Sequence, residues 1–158
     1  MKNIVLSLLL AVIWSTGAVA QLPQWGIGEY PADTSAQFRL CTPPPHTHYH
    51  FLPYGGGAKA IHAYVKQRYQ LVNTDQSGYL TVRGFLNCRN QLGSLRLLAV
   101  DTQYKPCTFD PNITQQLLTL TQQLTGWEVS HYQDGNVAEG YVSVVYKIKK
   151  GAVEYVVW

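Results

Sequence analysis

The sequence predicts an α+β domain in which a three-stranded antiparallel sheet packs against two helices. Three observations lead to this fold class. Two segments of alternating character, Tyr79–Asn87 and Ser94–Asp101, are separated by a short polar stretch, which is the pattern of a β-hairpin. A sharply bounded helical pattern follows at Asp110–Gly126. A third alternating segment, Tyr141–Lys149, completes the sheet.

The first helix is predicted from about Ala58 to Tyr69. The triplet Gly55-Gly56-Gly57 marks a flexible turn before the helix, and apolar residues then recur in pairs at a spacing of about 3.6 residues. The second helix is better bounded. Asp110 can cap its first amides and Pro111 suits its first position, while Gly126 is expected to end it as a left-handed residue. Its apolar stripe consists of Ile113, Leu117, Leu120 and Leu124.

Each predicted strand divides its side chains between two faces. In the first strand one face holds Leu80, Val82, Gly84 and Leu86, and the other holds Tyr79, Thr81, Arg83 and Phe85. In the last main strand the apolar face holds Val142, Val144, Tyr146 and Ile148. Gly151 then interrupts the pattern, and Val153–Val157 is predicted as a short final strand.

Residues 1–20 have the pattern of a secretory signal peptide. Lys2 precedes an apolar run from Ile4 to Trp14, and Ala18-Val19-Ala20 provides a small-residue cleavage site. An uncleaved membrane anchor is the alternative, but a bilayer span needs about 20 apolar residues and this run is shorter. We therefore expect a periplasmic or secreted protein that begins at Gln21 and has no membrane span after cleavage.

The predicted mature chain divides into an extended segment, residues 21–52, and one domain, residues 53–158. The extended segment contains Pro43-Pro44-Pro45, which favours polyproline geometry. His46, His48 and His50 follow at alternate positions, so in an extended chain they point to one side. Three imidazoles so placed could bind Zn²⁺ or Cu²⁺; the alternative is a solvated loop with incidental histidines.

The charge of the chain excludes some classes of partner. The formal net charge is +3, which falls to +2 without Lys2, and no basic patch is concentrated along the sequence. This bias is too weak to predict nucleic-acid binding. We expect no cofactor.

Three cysteines, Cys41, Cys88 and Cys107, stand in a chain that is expected to be exported, where paired thiols oxidise. Cys88 ends the first hairpin strand and Cys107 follows the second, so the return of the chain favours a Cys88–Cys107 disulfide. Cys41 would then be left over as a buried thiol, an intermolecular partner or a reactive group.

The order of these elements resembles the TonB C-terminal domain, the periplasmic module of energy-transducing TonB proteins. The likeness extends over about two thirds of the chain. The segments that carry it are Pro53–Ala58 with its Tyr and Gly residues, Gly78–Asn87, Gly93–Arg96, Leu117–Trp127 and Tyr141–Ile148. Asn87-Cys88-Arg89 before Gly93 is similar to a secreted subgroup that is common in Bacteroidetes. The family's membrane anchor and long spacer are not expected here, because a predicted signal peptide and a short extended segment stand in their place.

The resemblance implies a fold and a binding mode. In the family, the last main strand lies at an edge of the sheet, where an extended segment of an outer-membrane receptor pairs with it. Here that edge is Tyr141–Lys149, with Tyr141, Ser143, Val145 and Lys147 as the partner-binding residues. The alternatives are a homodimer edge, or an edge covered by Val153–Val157.

The sequence predicts no enzyme. It contains no nucleophile elbow, and the carboxylates Asp101, Asp110, Asp134 and Glu139 fall at turns and element ends, where capping is their usual role. The expected function is therefore a non-catalytic interaction module with a link to outer-membrane transport. The alternative function is a metal-binding exported protein that uses His46, His48 and His50.

Overall fold

The protein has an α+β fold with two helices and an open antiparallel sheet, as the sequence predicts. A computed structural model describes residues 29–31, 38–41, 50–129, 131, 133, 135 and 137–158. In chain order the elements are β1 Glu29–Pro31, β2 His50–Phe51, α1 Gly57–Arg68, β3 Gly78–Leu86, β4 Leu92–Asp101, α2 Pro111–Gln122, β5 Gly140–Lys149 and β6 Ala152–Val157. The predicted signal peptide lies outside the described residues. None of the helices in the described part of the chain is long and apolar enough to cross a membrane.

The sheet has more strands than the three predicted. Four antiparallel strands, β4, β3, β5 and β6, form its main part in that order. The short β1 pairs antiparallel with β4, and the short β2 pairs parallel with β5. The fourth long strand arises because Lys150 and Gly151 both adopt positive φ angles, 47° and 73°, in a tight turn that returns β6 along β5.

Strand β3 pairs with β4 on one side and with β5 on the other, and these two registers determine how the long strands are aligned. Gly78 lies opposite Asp101 on one side and Ile148 on the other. The β3–β5 register is continuous, whereas the β3–β4 register shifts at Gly84. A Cβ atom on Gly84 would lie 2.5 Å from Leu95 Cδ2, so glycine lets the two strands stay in contact at this irregularity.

Both helices pack on one face of the sheet, where the core lies. Ile61 and Val65 of α1, and Ile113 and Leu117 of α2, are buried in this core. Helix α1 packs mainly on β6, and α2 packs on β3 and β4. Helix α1 occupies almost the predicted range. Helix α2 begins as predicted, because the Asp110 side chain accepts a hydrogen bond from the Asn112 amide at 2.8 Å.

The predicted end of α2 is wrong. The helix ends at Gln122, and Gly126 does not adopt the positive φ angle of a left-handed residue. Gly126 instead makes room for a ring, since a Cβ atom there would lie 2.8 Å from Tyr54 Cζ. The Tyr54 ring packs edge-on against Trp127, with 5.0 Å between the ring centres. This contact joins the chain before α1 to the chain after α2.

The predicted Cys88–Cys107 disulfide is also wrong. The structure has a Cys41–Cys88 disulfide with 6.0 Å between the Cα atoms, and Cys107 is a half-buried free thiol. The Cys107 amide donates to the Ala99 carbonyl at 3.1 Å, near the far end of β4 from the hairpin turn. Cys88 lies beside that turn, and the length of a strand separates the two, at about 3.3 Å per residue.

The N-terminal segment lies beside Cys88 because two polar contacts hold it there. The Asn87 side chain donates to the Arg39 carbonyl at 2.9 Å, and the Cys41 amide donates to Glu139 Oε1 at 2.6 Å. Phe38 also packs against Gly93, which has no side chain to exclude it. The disulfide thus fastens residues 38–41 to the hairpin turn.

Replacing Cys88 with Ser should lower the free energy of unfolding. The bond joins residues that are 47 positions apart, and the restriction that a loop of this length places on the denatured chain corresponds to about 4 kcal/mol. Denaturant unfolding of purified protein measures the change, and Cys107→Ser is the matched control that should leave stability nearly unaltered. Peptide mapping that recovers a Cys88–Cys107 link from the wild type would contradict the pairing.

Replacing Thr121 with Val should destabilise the core by about 1 to 3 kcal/mol. Thr121 is buried, and its hydroxyl contacts Tyr146 Oη at 2.7 Å while donating to the Leu117 carbonyl at 2.6 Å. Without it, the buried Tyr146 hydroxyl, whose pKa burial raises, loses its partner. Thermal unfolding of Thr121→Val, Tyr146→Phe and the double variant measures the coupling. Additive losses would contradict the hydrogen bond.

Candidate interaction edge and apolar cleft

The outer side of β5 is not the open edge that the sequence predicts. Of the predicted partner-binding residues, Val145 lies opposite Val157 and Lys147 lies opposite Tyr155, both in β6. Tyr141 lies opposite Phe51 of β2. This corrects the expectation of a free β5 edge, and the alternative of a covered edge holds. The tight Lys150–Gly151 turn is the physical reason, because it leaves β6 no other partner.

Ser143 is the exception on this side of β5. Within the described residues, β2 pairs with β5 up to Tyr141 and β6 begins to pair at Val145, so neither strand lies opposite Ser143. The Leu52 amide donates to the Tyr141 carbonyl at 3.0 Å, which fixes the direction of the backbone groups at Tyr141. Because strand backbone groups alternate, Ser143 directs its N–H and C=O to the same side. The outer ladder of β5 is therefore interrupted at one residue.

Strand β6 is the outermost strand at this side of the sheet. It pairs with β5, and no strand of the described part of the chain pairs with its other side. Val145 directs its backbone N–H and C=O toward β6, so the backbone groups of Val157, which lies opposite, are directed toward Val145. Because these groups alternate along a strand, the N–H and C=O of Val156 are directed away from β5. The Val156 side chain is nevertheless buried in the core. Val156 thus combines a core side chain with an outward-facing backbone.

The other half of β6 is modified by an extra residue. Lys147 pairs with Tyr155 and Ile148 pairs with Val153, so Glu154 is a β-bulge in the ladder. Its carboxylate lies 2.9 Å from Lys147 Nζ and 3.5 Å from Lys149 Nζ. The hydrogen bond to Lys147 holds the pKa of Glu154 below its ordinary value, and the same bond raises the pKa of Lys147. A bulge and a charge cluster blunt this end of the edge.

An apolar cleft lies where β2 and β6 stop short of each other. Its volume is about 550 Å³, and its walls are Phe51, Leu52, Pro53, Ser143, Val145 and Trp158. None of these six residues has an ionisable side chain. Phe51 is 72% exposed and Trp158 is 45% exposed, although both are large aromatic residues. Two of the predicted partner-binding residues, Ser143 and Val145, form its floor.

Contacts to the rest of the protein hold both aromatic walls of the cleft. The Trp158 indole donates from Nε1 to the Leu52 carbonyl at 3.4 Å. The same ring lies over Gly57, where an added Cβ atom would be 3.2 Å from Trp158 Cζ3. The Phe51 ring stands edge-on to Tyr141, with 5.0 Å between the ring centres. These contacts position the rings without covering them.

Of the three predicted metal-binding histidines, only His50 lies within the described residues, so the arrangement of the three stays a prediction. His46 and His48 lie outside the described residues, and His50 lies in β2 opposite Gly140. Among residues 29–31, 38–41, 50–129 and the described positions after them, no group of three His, Cys, Asp or Glu side chains is arranged to hold a metal ion. Metal binding by this segment therefore stays a prediction.

Sequence reasoning missed the cleft because its walls are far apart in the chain. Phe51 and Trp158 belong to different elements, and nothing in their local pattern links them. The sequence does contain a signal that β5 is covered. The Lys150-Gly151 pair stands between two strand-like segments, which is a hairpin pattern and predicts that Val153–Val157 pairs with β5.

Replacing Lys147 with Met should raise the pKa of Glu154 toward the ordinary value of about 4.3. The Glu154 pKa is lowered in the folded protein, so the ion pair stabilises the folded state at pH values above the ordinary glutamate pKa. This stabilisation is lost as the pH falls through the lowered pKa. Carbon-13 NMR titration of the Glu154 carboxyl measures this. Lys149→Met, at the longer distance, should have the smaller effect, and an unaltered pKa in Lys147→Met would refute the pairing.

The chain was compared with known proteins in three ways. No family model matches it, no curated protein matches it, and no solved structure matches it. The case for a function therefore rests on the geometry of the β6 edge and the cleft.

Proposed function

We propose that this protein is a non-catalytic, exported interaction module that binds an extended protein segment as an additional strand along β6. The observation that carries the proposal is the position of β6 at the rim of the sheet, with the backbone groups of Val156 directed outward. A sheet edge recognises an extended segment through main-chain hydrogen bonds. The function expected from the sequence is kept, and its site moves from β5 to the neighbouring strand.

The end of β6 around Val156 favours pairing more than its beginning does. The bulge at Glu154 disturbs the regular spacing of backbone groups, and three charged side chains gather there. Past the bulge, the strand is regular again, and Val157 is half exposed beside the apolar cleft. A segment that pairs here would meet a neutral, apolar surface, so we expect it to be uncharged and rich in β-branched or aromatic residues.

The resemblance to the TonB C-terminal domain supplies the class of partner. It implies a segment of an outer-membrane protein, and the predicted signal peptide would bring this chain to the same compartment. The disulfide between Cys41 and Cys88 is compatible with an oxidising environment. A homodimer through two β6 edges is the competing occupant. It predicts self-association of the purified protein without any added peptide.

A proline at position 156 tests the edge directly. Val156→Pro deletes the outward N–H but removes no hydrogen bond to β5, because proline is tolerated where an edge amide faces away from the ladder. Peptides of about 12 residues would be selected on the wild-type mature protein from a random display library. We expect calorimetry to give at least tenfold weaker binding of the selected peptides to Val156→Pro.

Val156→Ala is the matched control, since it also loses buried side-chain volume but keeps the amide. It should bind the selected peptides within about threefold of the wild type, after circular dichroism has established that both variants are folded. Equal binding by the proline and alanine variants would place the site elsewhere. Failure to select any peptide, with a monomeric protein, would overturn the proposed function itself.

A further inference from the structure

We propose that the cleft between β2 and β6 is a binding site for a neutral aromatic group. This site is distinct from strand pairing along β6 and does not depend on it. The cleft is formed by Phe51, Leu52, Pro53, Ser143, Val145 and Trp158, and its volume of about 550 Å³ falls within the usual range of ligand pockets. Apolar walls with a few convergent polar groups are the ordinary composition of such pockets.

The polar groups of the cleft converge on its floor. The Ser143 side chain lines it, and the backbone N–H and C=O of Ser143 point to the side of β5 that β2 and β6 leave uncovered. A ligand that carries one hydrogen-bonding function beside its apolar body could therefore use a donor or an acceptor at this position. That arrangement fixes the orientation of a ligand as well as its affinity.

The walls indicate why the preferred body is aromatic. The exposed rings of Phe51 and Trp158 both line the cleft, and each is held by its own contact, to Tyr141 and to the Leu52 carbonyl. Aromatic rings prefer offset or edge-to-face partners, which two such rings offer to a third placed near them. Because the walls are held before a ligand arrives, less ordering is needed on binding.

The lining of the cleft disfavours an anionic ligand. None of the six lining residues has an ionisable side chain. Of the neighbouring cations, Lys147 on the same strand is paired with Glu154 at 2.9 Å, and Arg83 of β3, which lies opposite Ser143, does not line the cleft. An anionic ligand would therefore lose hydration in the cleft without gaining a cationic partner among the lining residues. Neutral aromatic compounds should therefore bind more tightly than anionic ones of the same size.

The test uses the fluorescent probe N-phenyl-1-naphthylamine, which is neutral and brightens in apolar surroundings. We expect saturable binding of one probe per mature protein, together with a shift of the Trp158 Nε1–H resonance in the NMR spectrum. The anionic analogue, anilinonaphthalene sulfonate, should bind at least fivefold more weakly. Equal binding of the two probes, or no shift at Trp158, would overturn the proposal.

Variants at Ser143 distinguish loss of probe binding caused by filling the cleft from loss caused by disturbing the fold. Ser143→Leu keeps the backbone but occupies the floor, and should weaken probe binding at least tenfold. Ser143→Ala is the matched control and should bind within about threefold of the wild type. Thr119→Leu fills a different surface cleft, beside Arg68 on the helices, and should have no effect. Probe binding that survives Ser143→Leu in a folded protein would place the ligand outside the cleft.

The proposed occupant is a free aromatic small molecule, because a volume of about 550 Å³ is that of an ordinary ligand pocket. Competition against the bound probe tests this source against an aromatic side chain of a protein. N-acetyl-tryptophanamide should displace the probe at concentrations no higher than those required of an uncharged eight-residue peptide with a central Trp. At least tenfold better displacement by the peptide would identify a protein side chain instead, and displacement by neither compound would overturn the proposal. Val156→Pro should leave all these results unchanged, so failure of edge pairing and failure of the cleft are distinguishable.

Discussion

The two-sided pairing of β3 is the constraint on which the rest of the structure depends. Every residue from Gly78 to Leu86 pairs with β5, and nearly all pair with β4. Because side chains alternate along a strand, this register decides which residues face the helices and which face the other side of the sheet. A slip of one residue would turn Leu80, Val82, Val144 and Tyr146 out of the core, so burial fixes the register.

The register of β3 in turn decides where a partner can bind. It leaves one side of β5 available, and two parts of the same chain occupy that side. Gly140 lets Leu52 pack closely at one end, and the Lys150–Gly151 turn brings β6 back at the other. Neither reaches Ser143. The pairing of β6 with β5 therefore covers the edge of β5 and makes β6 the edge strand. The apolar cleft lies between β2 and β6, the two strands that cover β5.

Local patterns in the sequence predict the parts of this fold that local physics determines. Asp110 and Pro111 mark the start of α2 because capping involves neighbouring residues, and the alternation from Tyr141 to Lys149 predicts β5. The sequence pattern places the end of α2 too late because Leu124 is buried in phase with the helix although it lies beyond the helix end. The disulfide and the cleft could not be predicted, since Cys41 and Cys88, like Phe51 and Trp158, meet through tertiary packing.

Amide hydrogen exchange along β6 is the measurement that tests the central claim most directly. If β6 covers β5 and presents its own outer side, the amide of Tyr155 should exchange slowly because it faces Lys147, and the adjacent Val156 amide should exchange fast. The Val145 and Lys147 amides should be slow as well. Slow exchange at Val156 together with fast exchange at Val145 and Lys147 would contradict the account, because β5 would then be the exposed edge.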